Sequence, residues 1–357
     1  MREKTVRDSI HQVSFSELDF NDGFFNSLRE SYNPGFAAWF KRKAESDEKA
    51  WVAKDENDKL VAMLYLKFED DSDETTNPPL TKPRLKIGTF KVDFEHHTSL
   101  GKRLLAIALR TFAESGRPYV YVTMHDADNT KGLRAMLGQY GFVRIGTKDA
   151  EQIWAKRRVN SNAITPYETY PFVLRRGTGH HILSIYPKYH ERMFPIRLRD
   201  EMDRPVRDNV ASNTIEKIYL SGARNAPDMK PGDYVAIYRT KTMNAPALYS
   251  SVISSICTVT EIRDINSFER KDGFIDYVRG RSVFSLEELE DFWTRRKYRW
   301  VISMLFNFPL NRCPNRKSLI EKQIIRGDEQ LTCIPISEHQ FDSILDLGEA
   351  DEGYIVD

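Results

Sequence analysis

Between Arg84 and His125 the chain reads as strand, helix, strand. "RLKIGTFKV" (84–92) and "RPYVYVTMH" (117–125) carry the β-branched and aromatic residues of strands. Between them, "KVDFEHHTSLGKRLLAIALRTF" (91–112) passes through a polar, glycine-containing turn into a basic helix. Two strands joined through a helix cannot close as a tight hairpin. They lie parallel, with a right-handed crossover. That unit fixes the centre of any sheet the first half of the chain can build.

The flanking segments extend it. Residues 10–18, "IHQVSFSEL", read as a first strand. "FNDGFFNSLRESY" is a helix with Asn21 or Asp22 as N-cap, and "PGFAAWFKRKAES" is a second helix opened by Pro34. Trp51–Ala53 and Leu60–Phe68 are strands joined by the polar turn "DENDK". "DSDETTNPPLTKP" is an acidic, proline-broken loop. After His125, "NTKGLRAMLGQY" is a short helix, and "GFVRIGTKD" and "EQIWAKRRV" are strands. The order β-α-α-β-β-β-α-β-α-β-β, with "LGQYGFVRIG" as a helix ending in Gly-Phe before a hairpin, resembles the GNAT acetyltransferase family over roughly residues 8–158.

The resemblance implies acetyl-CoA as co-substrate. A helix N-terminus offers free N–H groups and partial positive charge to a pyrophosphate, and small residues let the backbone approach it. The family's motif, Arg or Gln, two residues, Gly, one residue, Gly or Ala, falls on His96, Ser99 and Gly101. Gly101 fits; His96 and Ser99 depart from the pattern. The implied cradle is His97, Thr98, Ser99, Leu100, Gly101, Lys102 and Arg103. Backbone groups of Phe90 and Val92 are implied to hold the pantetheine arm and polarise the thioester carbonyl, and Asn129 is a further implied contact. A plain strand–helix junction is the alternative reading of this turn. Leu137 stands where many family members carry a proton-donating Tyr, and Tyr140 is not equivalent. Arg84, Leu85 and Lys86 occupy the region of the family's Glu. His125, ending the second strand, is the candidate catalytic residue. A structural histidine is its alternative, as it is for His96 and His97.

The second half has a different texture. Residues 159–212 are read as a connecting segment with a short strand at His181–Tyr186, a helix near 187–193 and a strongly charged boundary. From 213 to 348 short strands alternate with helices: "IEKIYLSG", "MKPGDYVAIYRT", "YSSVISSICTVTEI" and "RWVISMLFNF" are strands, and Ser285 with Glu288 forms a capping box. A helix opened by Pro314 and a closing helix ended by Gly348 follow, then an acidic tail at 349–357. Pro231-Gly232-Asp233 before a strand carrying Tyr238 resembles the PUA-like superfamily, which includes ASCH and EVE domains. A small β-barrel with helices is therefore expected, making the whole chain α+β.

That second resemblance implies an RNA or nucleotide-bearing partner. Aromatics that stack bases and cations that meet phosphates are its physical basis, and Tyr219, Tyr238, Arg239, Lys241, Arg295 and Arg296 supply them. The alternative is that the aromatics are core and the cations a solvated helix end. With 53 Lys+Arg against 52 Asp+Glu, a generally basic coat for nucleic acid is excluded, though a local basic face is not. Three scattered cysteines, no metal-ligand spacing, no apolar leader and no long apolar run point to a metal-free cytoplasmic protein without a membrane span. The functional expectation is an acetyl-CoA-dependent N-acyltransferase whose second domain recruits an RNA or nucleotide-bearing substrate. A non-catalytic CoA- or nucleic-acid-binding regulatory or defence protein, its first half a degenerate member of the family it resembles, is the alternative.

Overall fold

A computed structural model describes residues 10–93, 99–158, 165–175, 177–194, 214–242 and 245–356, with Ser99 as backbone only. The chain divides into two compact units, Met1–Phe112, Arg117–Ala135 and Phe142–Arg157 in the first, and Ala113–Gly116, Met136–Gly141 and Arg158–Asp357 in the second.

The first unit is built on a seven-stranded sheet. Its strands are β1 (His11–Ser14), β2 (Lys49–Lys54), β3 (Leu60–Glu69), β4 (Arg84–Val92), β5 (Tyr119–His125), β6 (Val143–Lys148) and β7 (Glu151–Arg157), in the order β1-β2-β3-β4-β5-β7-β6. With it go the helices α1 (Asn26–Ser31) and α2 (Gly35–Glu45) and the greater part of α3 (Ser99–Glu114) and of α4 (Lys131–Gln139). Only β4 and β5 run parallel, as the α3 crossover requires. The first strand is shorter than expected. Ser14 and Glu17 form a capping box that turns Phe15–Glu17 into a 3-10 helix. Phe15 then drops into the core, with its ring edge-on to Trp39, Phe40 and Tyr65 at 5.5, 5.4 and 5.3 Å. Asp22, not Asn21, caps the next turn by accepting from the Phe24 N–H at 2.8 Å.

Register shifts interrupt this sheet at three places among the described residues, and one of them lies in β4. Tyr65 pairs with Thr89 and Leu66 with Ile87, so Gly88 is an extra residue, a bulge. A Cβ at Gly88 would lie 2.7 Å from Cδ1 of Tyr65, so only glycine fits under that ring. On the other edge of β4, pairing with β5 covers Leu85–Val120, Lys86–Tyr121 and Ile87–Val122 and stops there, level with the bulge.

The second unit holds a six-stranded sheet and the small pair β8 (Val173–Leu174) and β15 (Ile355–Val356). Its strands are β9 (His180–Ile185), β10 (Glu216–Ser221), β11 (Tyr234–Arg239), β12 (Val252–Asp264), β13 (Trp300–Pro309) and β14 (Cys333–Ile336), in the order β10-β13-β12-β11-β9-β14. The ladder is open: β10 and β14 do not pair among the described residues, so closure into a barrel is not seen. The stretch read as a connection supplies α5 (Pro166–Thr169), then β9, which lies parallel to β11, and then α6 (Pro187–Met193). The acidic tail supplies β15. The Pro-Gly-Asp turn works through Asp233. Its carboxylate accepts from Gly179 N–H at 2.9 Å, Lys230 N–H at 2.8 Å and His181 Nε2 at 3.1 Å, tying β9 to β11. The helix at Arg316–Glu321 is capped by Asn315, which accepts from the Ser318 N–H at 3.0 Å; Pro314 lies just outside it.

Candidate active site

The parting of β4 from β5 leaves an edge of backbone without a strand partner among the described residues. Asp93 N–H donates to Val61 O of β3 at 2.8 Å. Backbone polarity alternates along a strand. Lys91 therefore also faces β3, and the amides of Phe90 and Val92 face the gap. The gap widens into a cleft of about 620 Å³. Ile87–Phe90 of β4 and Val122–His125 of β5 line it, together with Asn129, Thr130 and Leu133 and with Tyr32, Phe36 and Trp39.

Phe90, His125 and Asn129 line this cleft, and Val92 continues the same edge of β4. His96, His97 and Thr98 lie outside the described residues. Helix α3 opens at Ser99, where the cradle motif places its start. Leu100 and Arg103 are buried, at 3% and 1% exposure, and Gly101 and Lys102 are half-buried. His125 is half-buried, its carbonyl accepts from Thr130 Oγ1 at 2.8 Å, and its ring lies 5.4 Å from that of Tyr32. Asp126 beside it accepts from Gln152 Nε2 at 2.8 Å and pairs with Arg134, which holds the end of β5 in place. Leu137 is a core residue. Tyr140 is buried against Tyr167 and Tyr170, and that burial raises its phenol.

Two cleft groups, Tyr32 and Glu151, escaped the sequence, and a third, Lys86, was placed there only in the region of the family's Glu. Tyr32, in the turn between α1 and α2, donates to Glu151 Oε1 at 2.8 Å. Burial, then the Glu151 charge, holds its phenol protonated well above the usual range. Glu151 opens β7 directly across from His125. Lys86 sits where β4 and β5 begin to part. Burial pulls its ammonium below the ordinary lysine value, while Glu69 and Glu151 oppose that pull. A lysine inside an apolar strand was the available signal for Lys86. Tyr32 and Glu151, 119 residues apart, had none.

In the second unit Tyr219, Tyr238 and Arg239 are buried, at 4%, 3% and 5% exposure. Tyr219 packs in the core of the sheet. Arg239 meets Glu191 at 3.4 Å and the Ser250 carbonyl at 3.2 Å. These three are core residues rather than surface contacts, because the sheet is covered where they stand. Lys241 and Arg295 are exposed, and the Arg296 guanidinium stacks 3.5 Å over the Trp293 ring. Among the described residues no group of three or more metal-ligating side chains is assembled, and no helix is long and apolar enough to cross a membrane.

No protein-family model and no curated protein matches the sequence. Similar solved structures include an ASCH protein from Zymomonas mobilis, at 13% identity and a TM-score of 0.29, covering 47% of this chain and 94% of that one. A GNAT-family acetyltransferase from Listeria monocytogenes matches at 18% identity and a TM-score of 0.28, covering 38% of this chain and 83% of that one. A putative GNAT-family acetyltransferase from Desulfovibrio desulfuricans matches at 13% and 0.31, covering 42% and 100%. Each is a likeness to part of this chain.

Proposed function

We propose that the first unit is an acetyl-CoA-dependent N-acyltransferase. The observation that carries this is the gap between β4 and β5, into which the Phe90 and Val92 amides turn at the wall of the cleft. Acetyl-CoA would supply an activated acyl carbon and a thiolate leaving group. A narrow acyl-pantetheine arm suits a slot bounded by two strand edges, and backbone amides without a strand partner suit its amide and thioester carbonyls. The start of α3 and its Lys102 favour the pyrophosphate. Glu151 and His125 line the part of the cleft assigned here to the acceptor, whose ammonium must shed protons. The chain's main contribution is placement of the amine against the acyl carbon.

Leu137 favours a second reading, in which the same cleft binds CoA without transferring the acyl group. One experiment separates them. Calorimetry with acetyl-CoA should show binding that Ser99→Trp abolishes, and incubation with a panel of amines should release free thiol. Binding without thiol release favours the second reading; no heat at millimolar acetyl-CoA ends both.

For the second unit the proposal is recruitment of an RNA or nucleotide-bearing substrate through its exposed cations, Lys241 and Arg295, with Arg296 on Trp293. Filter binding must use the full chain, because β9 lies between β11 and β14 and a fragment starting near residue 205 lacks it. Affinity should fall steeply with salt; no retention of RNA at low salt removes the claim.

A further inference from the structure

We propose that the acceptor end of this cleft binds a zwitterion of the α-amino-acid type with an apolar or aromatic side chain, its carboxylate on Lys86 and its ammonium on Glu151. The register pairs Lys86 with Tyr121 and His125 with Glu151. Side chains alternate along a strand, so Lys86, Thr123, His125 and Glu151 share one face of the sheet, and all four line the one cleft.

Lys86 and Glu151 feel each other's charge but form no ion pair. Among the described residues Lys86 makes no hydrogen bond or ion pair. Its ammonium rests 5.6 Å over the Tyr121 ring. The nearest alternative anion, Glu69, is already engaged by Arg84 at 2.9 Å, Tyr121 at 2.7 Å and Lys67 at 3.2 Å. A partly desolvated ammonium short of partners gains most from an anion brought to it. Glu151 spends Oε1 on Tyr32, which fixes the carboxylate and leaves Oε2 for a cation.

Two opposite charges held apart in one cleft form a dipolar receptor. A simple amine would leave Lys86 without an anion, and a simple acid would leave Glu151 without a cation. The adjoining wall of Leu28, Tyr32, Phe36 and Trp39 is apolar and aromatic, which sets the character of the third group. As an acceptor this ligand rests on the acyl-transfer reading; as a ligand it does not.

The test is equilibrium binding to the full chain by calorimetry without CoA, using phenylalanine, phenethylamine and 3-phenylpropionate. Phenylalanine should bind about tenfold or more tighter than either analogue. Lys86→Met should erase its advantage over phenethylamine, and Glu151→Gln its advantage over 3-phenylpropionate. Melting curves confirm that each variant is folded. The inference is overturned if phenylalanine binds no better than both analogues, does not bind at tens of millimolar, or keeps both advantages in the folded variants. Acetyl-CoA binding is measured separately. Acetyl-CoA bound without phenylalanine sinks the zwitterion and spares acyl transfer; phenylalanine bound without acetyl-CoA does the reverse.

Discussion

Each large sheet carries several register shifts, and one from each, in β4 and in β12, has the opposite fate to the other. In the first sheet Gly88 is the extra residue, and pairing with β5 ends level with it, leaving an open slot. In the second, Ile237 pairs with Ser255 and Tyr238 with Ile253, so Ser254 is extra. There the ladder continues to Arg239–Val252, and the buried Ser254 hydroxyl meets His190 Nε2 of α6 at 2.7 Å. One bulge exposes backbone groups to a cleft; the other is filled by an imidazole. The same local device makes a site or a core, depending on whether the chain supplies a side chain to occupy it.

Changing each bulge should therefore have different consequences. Gly88→Val drives a side chain into Tyr65 and should abolish acetyl-CoA binding while destabilising the protein by about 2–3 kcal/mol. Retention of wild-type affinity in that variant would separate the bulge from the site. His190→Ala should cost about 3 kcal/mol by chemical denaturation, from the lost ring and its lost hydrogen bond with Ser254. Acetyl-CoA affinity of the folded variant should be unchanged; a large loss would merge two features treated as separate.

Proline probes the two edges of β4. Phe90→Pro removes an N–H aimed at the gap and should lower kcat about a hundredfold with little effect on melting. Lys91→Pro removes an N–H aimed at β3 and should unfold the sheet edge instead. Equal effects of the two would mean that β4 has no free edge. Acid tests the filled bulge. Burial pulls His190 down to about 3, so between about pH 6.5 and 3 the unfolded chain binds a proton that the folded chain refuses. Stability should fall on acidification through that window by up to about 1.4 kcal/mol per pH unit, and His190→Gln should flatten the slope. The smallest effect is expected at Tyr32→Phe. Loss of one hydrogen bond to Glu151 should cost about 1 kcal/mol in kcat/KM, about fivefold.

The frame of the first unit was legible because its periods were clean. The apolar strands around a long basic helix admitted one arrangement, and β4, α3 and β5 fall where the residues placed them. A glycine inside "RLKIGTFKV" is an ordinary sign of a bulge, so the slot had a local marker. Tyr32 and Glu151 had none, because their contact depends on how the α1–α2 turn lies over the strand ends. In the second unit strand aromatics could belong to either face, and nothing local distinguishes a Tyr on a covered face from one on a bare surface. Tyr219 and Tyr238 were therefore open to a surface reading that their burial corrects. His190 was visible as a residue but not as the plug of a bulge some 64 positions away.

The central claim is that the Phe90 and Val92 amides are open to the cleft and are taken up by acetyl-CoA. Residue-resolved amide hydrogen exchange by NMR, with and without saturating acetyl-CoA, tests this directly. In the free protein Lys91 and Asp93 should be protected while Phe90 and Val92 exchange fast, and acetyl-CoA should protect the latter two by about tenfold or more. Phe90 and Val92 already protected in the free protein, or unchanged at saturating acetyl-CoA, would contradict the account.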